Sequence, residues 1–144
     1  MKSVKIRAPL DTNVFIYAYE ISRSNSSLMI CALNKELFDA IITESTFKEV
    51  YRYFRRHYLK DLADLFRLYL FASCRLIFTY ELKRKFAKYS KLINKKDLEQ
   101  VVAVRELGIK YLVSYDRDFE GVEEYIIPRG FVRLLGLKPY SVDY

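Results

Sequence analysis

Glycine is missing from most of this chain: its four residues all fall after position 107. That excludes a phosphate-cradling P-loop or a dinucleotide fingerprint, both of which need glycines where an early strand turns into a helix. Histidine is scarcer still. With His57 alone, a two-histidine ribonuclease mechanism has no acid-base pair, and within YFRRHY this residue is expected at the surface of a basic helix. No GxSxG nucleophile elbow occurs. The only two cysteines, Cys31 and Cys74, lack CxxC spacing, so neither zinc nor a redox motif is indicated, and both are expected as reduced core residues. Glutamine occurs once, at position 100, against abundant Lys, Arg, Glu and Tyr, a balance that leans toward heat-adapted chains. No apolar run is long enough to span a bilayer, and no apolar leader with a small-residue cleavage site opens the sequence. The expectation is no membrane partner and a cytoplasmic location.

What is present suits one folded unit. The chain has 144 residues, of which 51% are hydrophobic, and no linker or repeat divides it, so a single domain over residues 1–144 is expected. Subtracting 18 acids from 25 bases leaves +7, enough to steer a polyanion toward the surface.

Strand-like and helical segments alternate. VKIRAPL (4–10) reads as a first strand and TNVFIYAYE (12–20) as a helix capped by Asp11. Residues 27–35 suit a helix and 37–43 a buried strand. In 44–58, Phe47, Val50, Tyr51 and Phe54 form one apolar stripe, while Glu49, Arg52, Tyr53 and Arg56 follow the same spacing opposite. The helix at 59–74 is apolar on more than one face and is expected to be covered on two sides, which suggests a homodimer. A short strand at 75–79 follows, then helices at 80–94 and 95–108, the second opened by Asn94 and closed by Gly108. Strands at 110–115 and 124–127 and a helix at 128–135 complete the chain. The alternation predicts parallel strands with helices on both faces, and in such sheets ligands sit beyond the carboxyl ends of the strands.

Acids fall at those ends. Asp11 follows strand one, Asp116 and Asp118 follow strand four, and Glu49 and Asp97 lie on helices that can reach the same edge. Clustered carboxylates repel unless a cation neutralises them, and hard oxygen donors favour Mg²⁺ or Mn²⁺. Each acid also has a plainer role open to it: Asp11 as a cap, Asp97 in a capping box with Asn94, Glu49 paired with Arg52, and Asp116 and Asp118 as turn formers.

At this point the sequence resembles the PIN-domain family, the nuclease fold that includes the VapC-type toxins. LDTNVFIYAYE (10–20) is similar to the family's opening motif, ITESTFKEVYRYF (42–54) to its second, and KKDLEQVVAVRELGIKYLVSYDRDFEGV (95–122) to its third. IIPRGFVRLLG (126–136) is similar to the closing strand and helix. Leu98 and Ser114 stand where a small residue and a threonine are common. The resemblance implies a three-layer α/β/α fold with a central, mostly parallel sheet of about four to five strands. It implies a metal-dependent endoribonuclease that hydrolyses RNA phosphodiester bonds with metal-activated water in an acidic groove, with Mg²⁺ or Mn²⁺ as cofactor. Asp11, Glu49, Asp97 and Asp116 take the catalytic and metal positions, with Asp118 as a further metal ligand and Asn13 and Ser114 in support. The partners implied are single-stranded RNA and, for the toxin of a toxin–antitoxin pair, a small antitoxin. The competing reading is a catalytically weak RNA-binding module of the same fold in an RNA-processing complex. From charge and position, Arg52, Arg55, Arg56, Lys88, Lys95, Lys96 and Arg117 are candidates for phosphate contact, with Tyr53 or Tyr89 stacking on bases.

Overall fold

Hydrophobic residues on the strands alternate with a period of two, and the two sets pack against different helices. In the computed structural model, which describes residues 5–91, 93 and 97–144, strand β1 is Arg7–Pro9, β2 Asp39–Thr43, β3 Cys74–Ile77, β4 Leu112–Val113 and β5 Tyr125–Ile126. All the pairings are parallel, β1 with β2, β2 with β3 and β4 with β5. A parallel bridge from Leu10 to Val113 joins the two groups, giving the order β3-β2-β1-β4-β5. Ala8, Leu10, Ala40, Ile42 and Val113 face one core, and Ile41, Ile77 and Leu112 face the other.

The first core is roofed by α1 (Thr12–Glu20), α2 (Asn25–Asn34), α3 (Glu44–His57), α4 (Lys60–Ser73) and α8 (Pro128–Leu134). The second is covered by α5 (Thr79–Leu82), α6 (Phe86–Tyr89) and α7 (Leu98–Glu106). This is the expected three-layer α/β/α arrangement. No helix among the described residues is long and apolar enough to cross a membrane.

Local chemistry accounts for the element ends. Asp11 caps α1, Ser24 caps α2 and Thr43 caps α3, each accepting a backbone N–H with its side chain. Arg55, Arg56 and His57 occupy the last turn of α3, where cations suit the helix dipole. Gly108 follows α7 at φ +63, the left-handed conformation that ends a helix without a Cβ penalty. Pro128 opens α8 at the position where a missing N–H costs nothing.

Three expectations need correction. The helix expected at 80–94 is broken: α5 stops at Leu82, Lys83–Lys85 tighten into a 3₁₀ turn, and α6 spans only Phe86–Tyr89. Arg84 and Lys88, four residues apart, repel along a helix, and Lys88 turns instead to Glu106 of α7 at 3.8 Å. The next helix starts at Leu98 with Asp97 at its N-cap, and the expected cap Asn94 lies outside the described residues. Both cysteines are free, but only Cys74 meets the core: it is half-buried against the first cluster, burial pushing its thiol up to about 12, whereas Cys31 is exposed. On α4, Ala63 and Leu70 are buried in the core, and Leu65, Leu68 and Phe71 are 61–65% exposed.

Asn25 ties the C-terminal tail to this frame. Its fully buried amide donates to the carbonyls of Tyr140 and Val142 and accepts the Tyr140 N–H, while its own backbone N–H donates to the Tyr144 carbonyl. Asn25→Ala strands these backbone groups at about 1–3 kcal/mol. Limited proteolysis is expected to clip the chain after residue 137 in this variant well before the wild type. Equal resistance of the two proteins sinks the idea of an anchor.

Candidate acidic cleft

The sheet order places a topological switch point between β1 and β4, because the chain winds outward from β1 toward β3 and then, past β4, toward β5. Crossovers leaving in opposite directions open a crevice at the carboxyl ends of those two strands. Asp11, which follows the Leu10 bridge residue, and Ser114, which follows β4, face each other across it. The Asp11 N–H donates to the Val113 carbonyl at 3.0 Å, extending the strand ladder to the rim of the crevice.

A cleft of about 190 Å³ lies there, lined by the carboxylates of Asp11, Glu49, Asp97, Glu99 and Asp116 together with Thr12, Asn13, Ser45 and Gln100. No Lys, Arg or His belongs to the lining among the described residues. Asp97, Asp116 and Asp118 each bring one oxygen to within 4.8 Å of the others. An all-oxygen donor set with this density of negative charge fits a hard divalent cation such as Mg²⁺ or Mn²⁺.

Asp11 is 8% exposed and accepts three hydrogen bonds. Its Oδ1 accepts the Thr12 N–H and the Gln100 Nε2–H, each at 2.8 Å, and its Oδ2 accepts the Ser114 hydroxyl at 2.6 Å. Burial pushes this carboxyl above the ordinary carboxylate range. The hydrogen bonds from Ser114 and Thr12 pull the other way, and the charges of Glu49 and Asp116 add to the upward push. The plain role as a helix cap and the place in the acidic cleft therefore coexist in one residue. The same holds for Asp116, whose Oδ1 accepts the Asp118 N–H at 2.9 Å and so forms the turn that brings Asp118 back beside it.

Supporting groups hold this geometry. Ser114 is fully buried, and its oxygen accepts the Asp116 N–H at 2.9 Å while it donates to Asp11, so a single hydroxyl couples the two strand ends. Asn13 accepts the Tyr115 N–H at 3.2 Å and lies 3.4 Å from Ser114 Oγ through its Nδ2. Glu49 accepts the Thr12 hydroxyl at 2.8 Å; among the described residues it makes no ion pair with Arg52.

The candidate phosphate contacts divide. Arg52, Arg55 and Arg56 are exposed along α3, and Arg117 is exposed beside Asp116. Lys88 is drawn off to Glu106 and the Tyr89 ring. Lys95 and Lys96 lie outside the described residues. Of the proposed stacking rings, Tyr89 is buried against α7, and Tyr53 donates to Glu20 at 2.6 Å, a bond that pushes its phenol up to about 12.

Two residues of the cleft escaped the reading of the sequence. Glu99 accepts from the Ser45 hydroxyl and backbone N–H and from the Thr79 hydroxyl, tying α7 to the starts of α3 and α5. Gln100 clamps Asp11. The helical spacing held a signal for the second, since a residue three positions past Asp97 shares its face. Glu99 had none, because its partners come from two distant segments.

A carboxylate-lined crevice at the switch point of a parallel α/β/α sheet defines a class of protein whose site is arranged for hard cations. The PIN domain model matches residues 9–125. The chain belongs to the PIN domain family, as its motifs lead one to expect. No curated protein matches it, but nineteen chains of solved structures do. A toxin–antitoxin complex from Klebsiella pneumoniae is similar with a TM-score of 0.64 at 16% identity, covering 84% of this chain and 97% of that one. VapBC2 from Rickettsia felis, bound to a DNA fragment from their promoter, gives 0.57 at 17%, covering 84% and 96%. VapBC-1 from nontypeable Haemophilus influenzae gives 0.59 at 13%, covering 84% and 97%. At these identities the shared feature is the fold.

Proposed function

We propose that the chain is a metal-dependent endoribonuclease, a single domain over residues 1–144 acting in the cytoplasm. The observation that carries this reading is the convergence of Asp97, Asp116 and Asp118 within 4.8 Å at a cleft that Asp97 and Asp116 line together with Asp11 and Glu49, and that no cationic side chain lines among the described residues. Those three aspartates and Asp11 would hold Mg²⁺ or Mn²⁺. Such an ion supplies Lewis-acid activation of water and neutralises charge at the phosphate.

The chain's own groups do the rest. Glu49, fixed through Oε2 by the Thr12 hydroxyl, has Oε1 to accept a proton from the attacking water. Ser114 and Asn13 keep Asp11 and the 114–116 backbone in register, which is the positioning that in-line attack requires. Arg52, Arg55, Arg56 and Arg117 meet the flanking phosphates of a single-stranded RNA. Resemblance to toxin–antitoxin complexes supports an antitoxin as protein partner. The exposed row Leu65, Leu68 and Phe71 on α4 supports a homodimer.

The test incubates purified protein with end-labelled single-stranded RNA in Mg²⁺ or Mn²⁺, with and without chelator. Internal cleavage that requires the cation is expected. Cleavage that persists in chelator overturns the reading, and cation-dependent RNA binding with no cleavage replaces it with an RNA-binding module.

A further inference from the structure

Gln100 lies in the cleft with half of its amide unused. Its side chain is 6% exposed, its Nε2 donates to Asp11 Oδ1 at 2.8 Å, and its Oε1 has no hydrogen-bond partner among the described residues. The orientation of the amide is chemically fixed, because a carboxylate only accepts and so must face the NH₂ end. The oxygen is therefore directed away from Asp11, in a cleft whose other prominent groups are acceptors too.

The nearby donors are committed elsewhere. The Thr12 hydroxyl goes to Glu49, the Ser45 hydroxyl to Glu99, and the Asn13 amide to Ser114. A buried carbonyl surrounded by carboxylates finds no donor among the described residues, and a buried unsatisfied group of this kind points to a bound water or ion. Mg²⁺ keeps several waters when carboxylates bind it, and each of those waters is a strong donor.

We propose that Gln100 is a positioning residue for the cation of the cleft: Nε2 holds Asp11, and Oε1 accepts a hydrogen bond from a water in the cation's hydration shell. This rests on the metal-dependent reading above and adds a neutral oxygen to its acids. Neutrality has a use at this position, since a sixth carboxylate would stand against Asp11 with nothing to donate to it.

The chain makes the test clean, because Gln100 is its only glutamine. Protein grown with glutamine labelled at ¹³Cδ and ¹⁵Nε2 gives one side-chain signal pair with no assignment step. Titration with Mg²⁺ is expected to move the ¹³Cδ resonance while the ¹⁵Nε2 resonance, held by Asp11, moves less. By calorimetry Gln100→Leu is expected to bind Mn²⁺ about tenfold more weakly, the usual effect of removing an outer-shell partner. Gln100→Glu, which keeps an oxygen toward the cleft but loses the donor to Asp11, is expected to bind Mn²⁺ more tightly than Gln100→Leu. An unmoved ¹³Cδ signal at saturating Mg²⁺, or wild-type Mn²⁺ affinity in Gln100→Leu, overturns this inference alone. Equal weakening in Gln100→Glu also overturns it and reduces Gln100 to a clamp on Asp11. Wild-type protein that binds neither cation overturns the metal-dependent function itself.

Discussion

Asp11→Asn is expected to abolish RNA cleavage and, in the same molecule, to raise the melting temperature of the cation-free protein. Loss of activity by about a thousandfold corresponds to about 4 kcal/mol of barrier, a fair magnitude for a group that both holds the cation and sets the cleft's charge. The gain in stability follows from where the carboxylate sits. It is buried, and it carries the repulsion of Glu49 and Asp116, so its pKa is raised in the folded state. A carboxyl that binds its proton more readily when folded costs stability wherever it is charged, and that cost is relieved as pH falls through the raised value. The neutral amide removes the cost while Oδ1 still accepts from Thr12 and Gln100. Nδ2, standing in place of Oδ2, donates to the Ser114 oxygen, whose hydroxyl gives up Asp11 as its acceptor. The gain is expected at neutral pH in chelator and shrinks as the solution is acidified. Thermal melts across pH check the sign. An Asn variant that melts below wild type at neutral pH contradicts the account of Asp11 as a strained charge.

Phe54→Ala is expected to give the largest loss of stability, about 3–5 kcal/mol, without touching the cleft directly. The ring is fully buried on α3, stacked on Phe66 of α4 at 4.0 Å and met edge-on by Tyr19 of α1. It therefore joins three helices of one layer, and α3 also carries Glu49. Against a total of roughly 5–15 kcal/mol for an ordinary domain, the loss takes a large share of the folded population. Urea titration should show a lower midpoint at unchanged slope. Cleavage should fall only in proportion to the folded fraction. A fall in activity per folded molecule means instead that α3 shifts and carries Glu49 with it.

The acids at the strand ends were readable because two local rules coincide. Asp11 and Asp116 follow apolar strand segments directly, and both are also favoured cap and turn formers, so the same positions are marked by local backbone chemistry and by the rule for parallel sheets. Helix α3 was readable from its apolar stripe, which the structure buries at Val50 and Phe54. The segment after Thr79 was not. A run of cations with a few apolar anchors has a helical pattern, but mutual repulsion and the pull of Glu106 on Lys88 break it into short turns.

Outside the segment after Thr79, the sequence by itself determined the order of strands and helices, the parallel pairing that such an order imposes, and the acids that end up at one edge of the sheet. These depend on periodicity, capping and turn chemistry, all of which act over a few residues. The tertiary structure alone decided that Glu99 bridges three segments and that Gln100 holds Asp11 with one end of its amide and leaves the other to the cleft. Those outcomes depend on contacts across 89 residues in the case of Gln100 and Asp11. Spacing along the chain does not encode them; they arise only when the packing of α7 against the sheet brings helix and strand ends together.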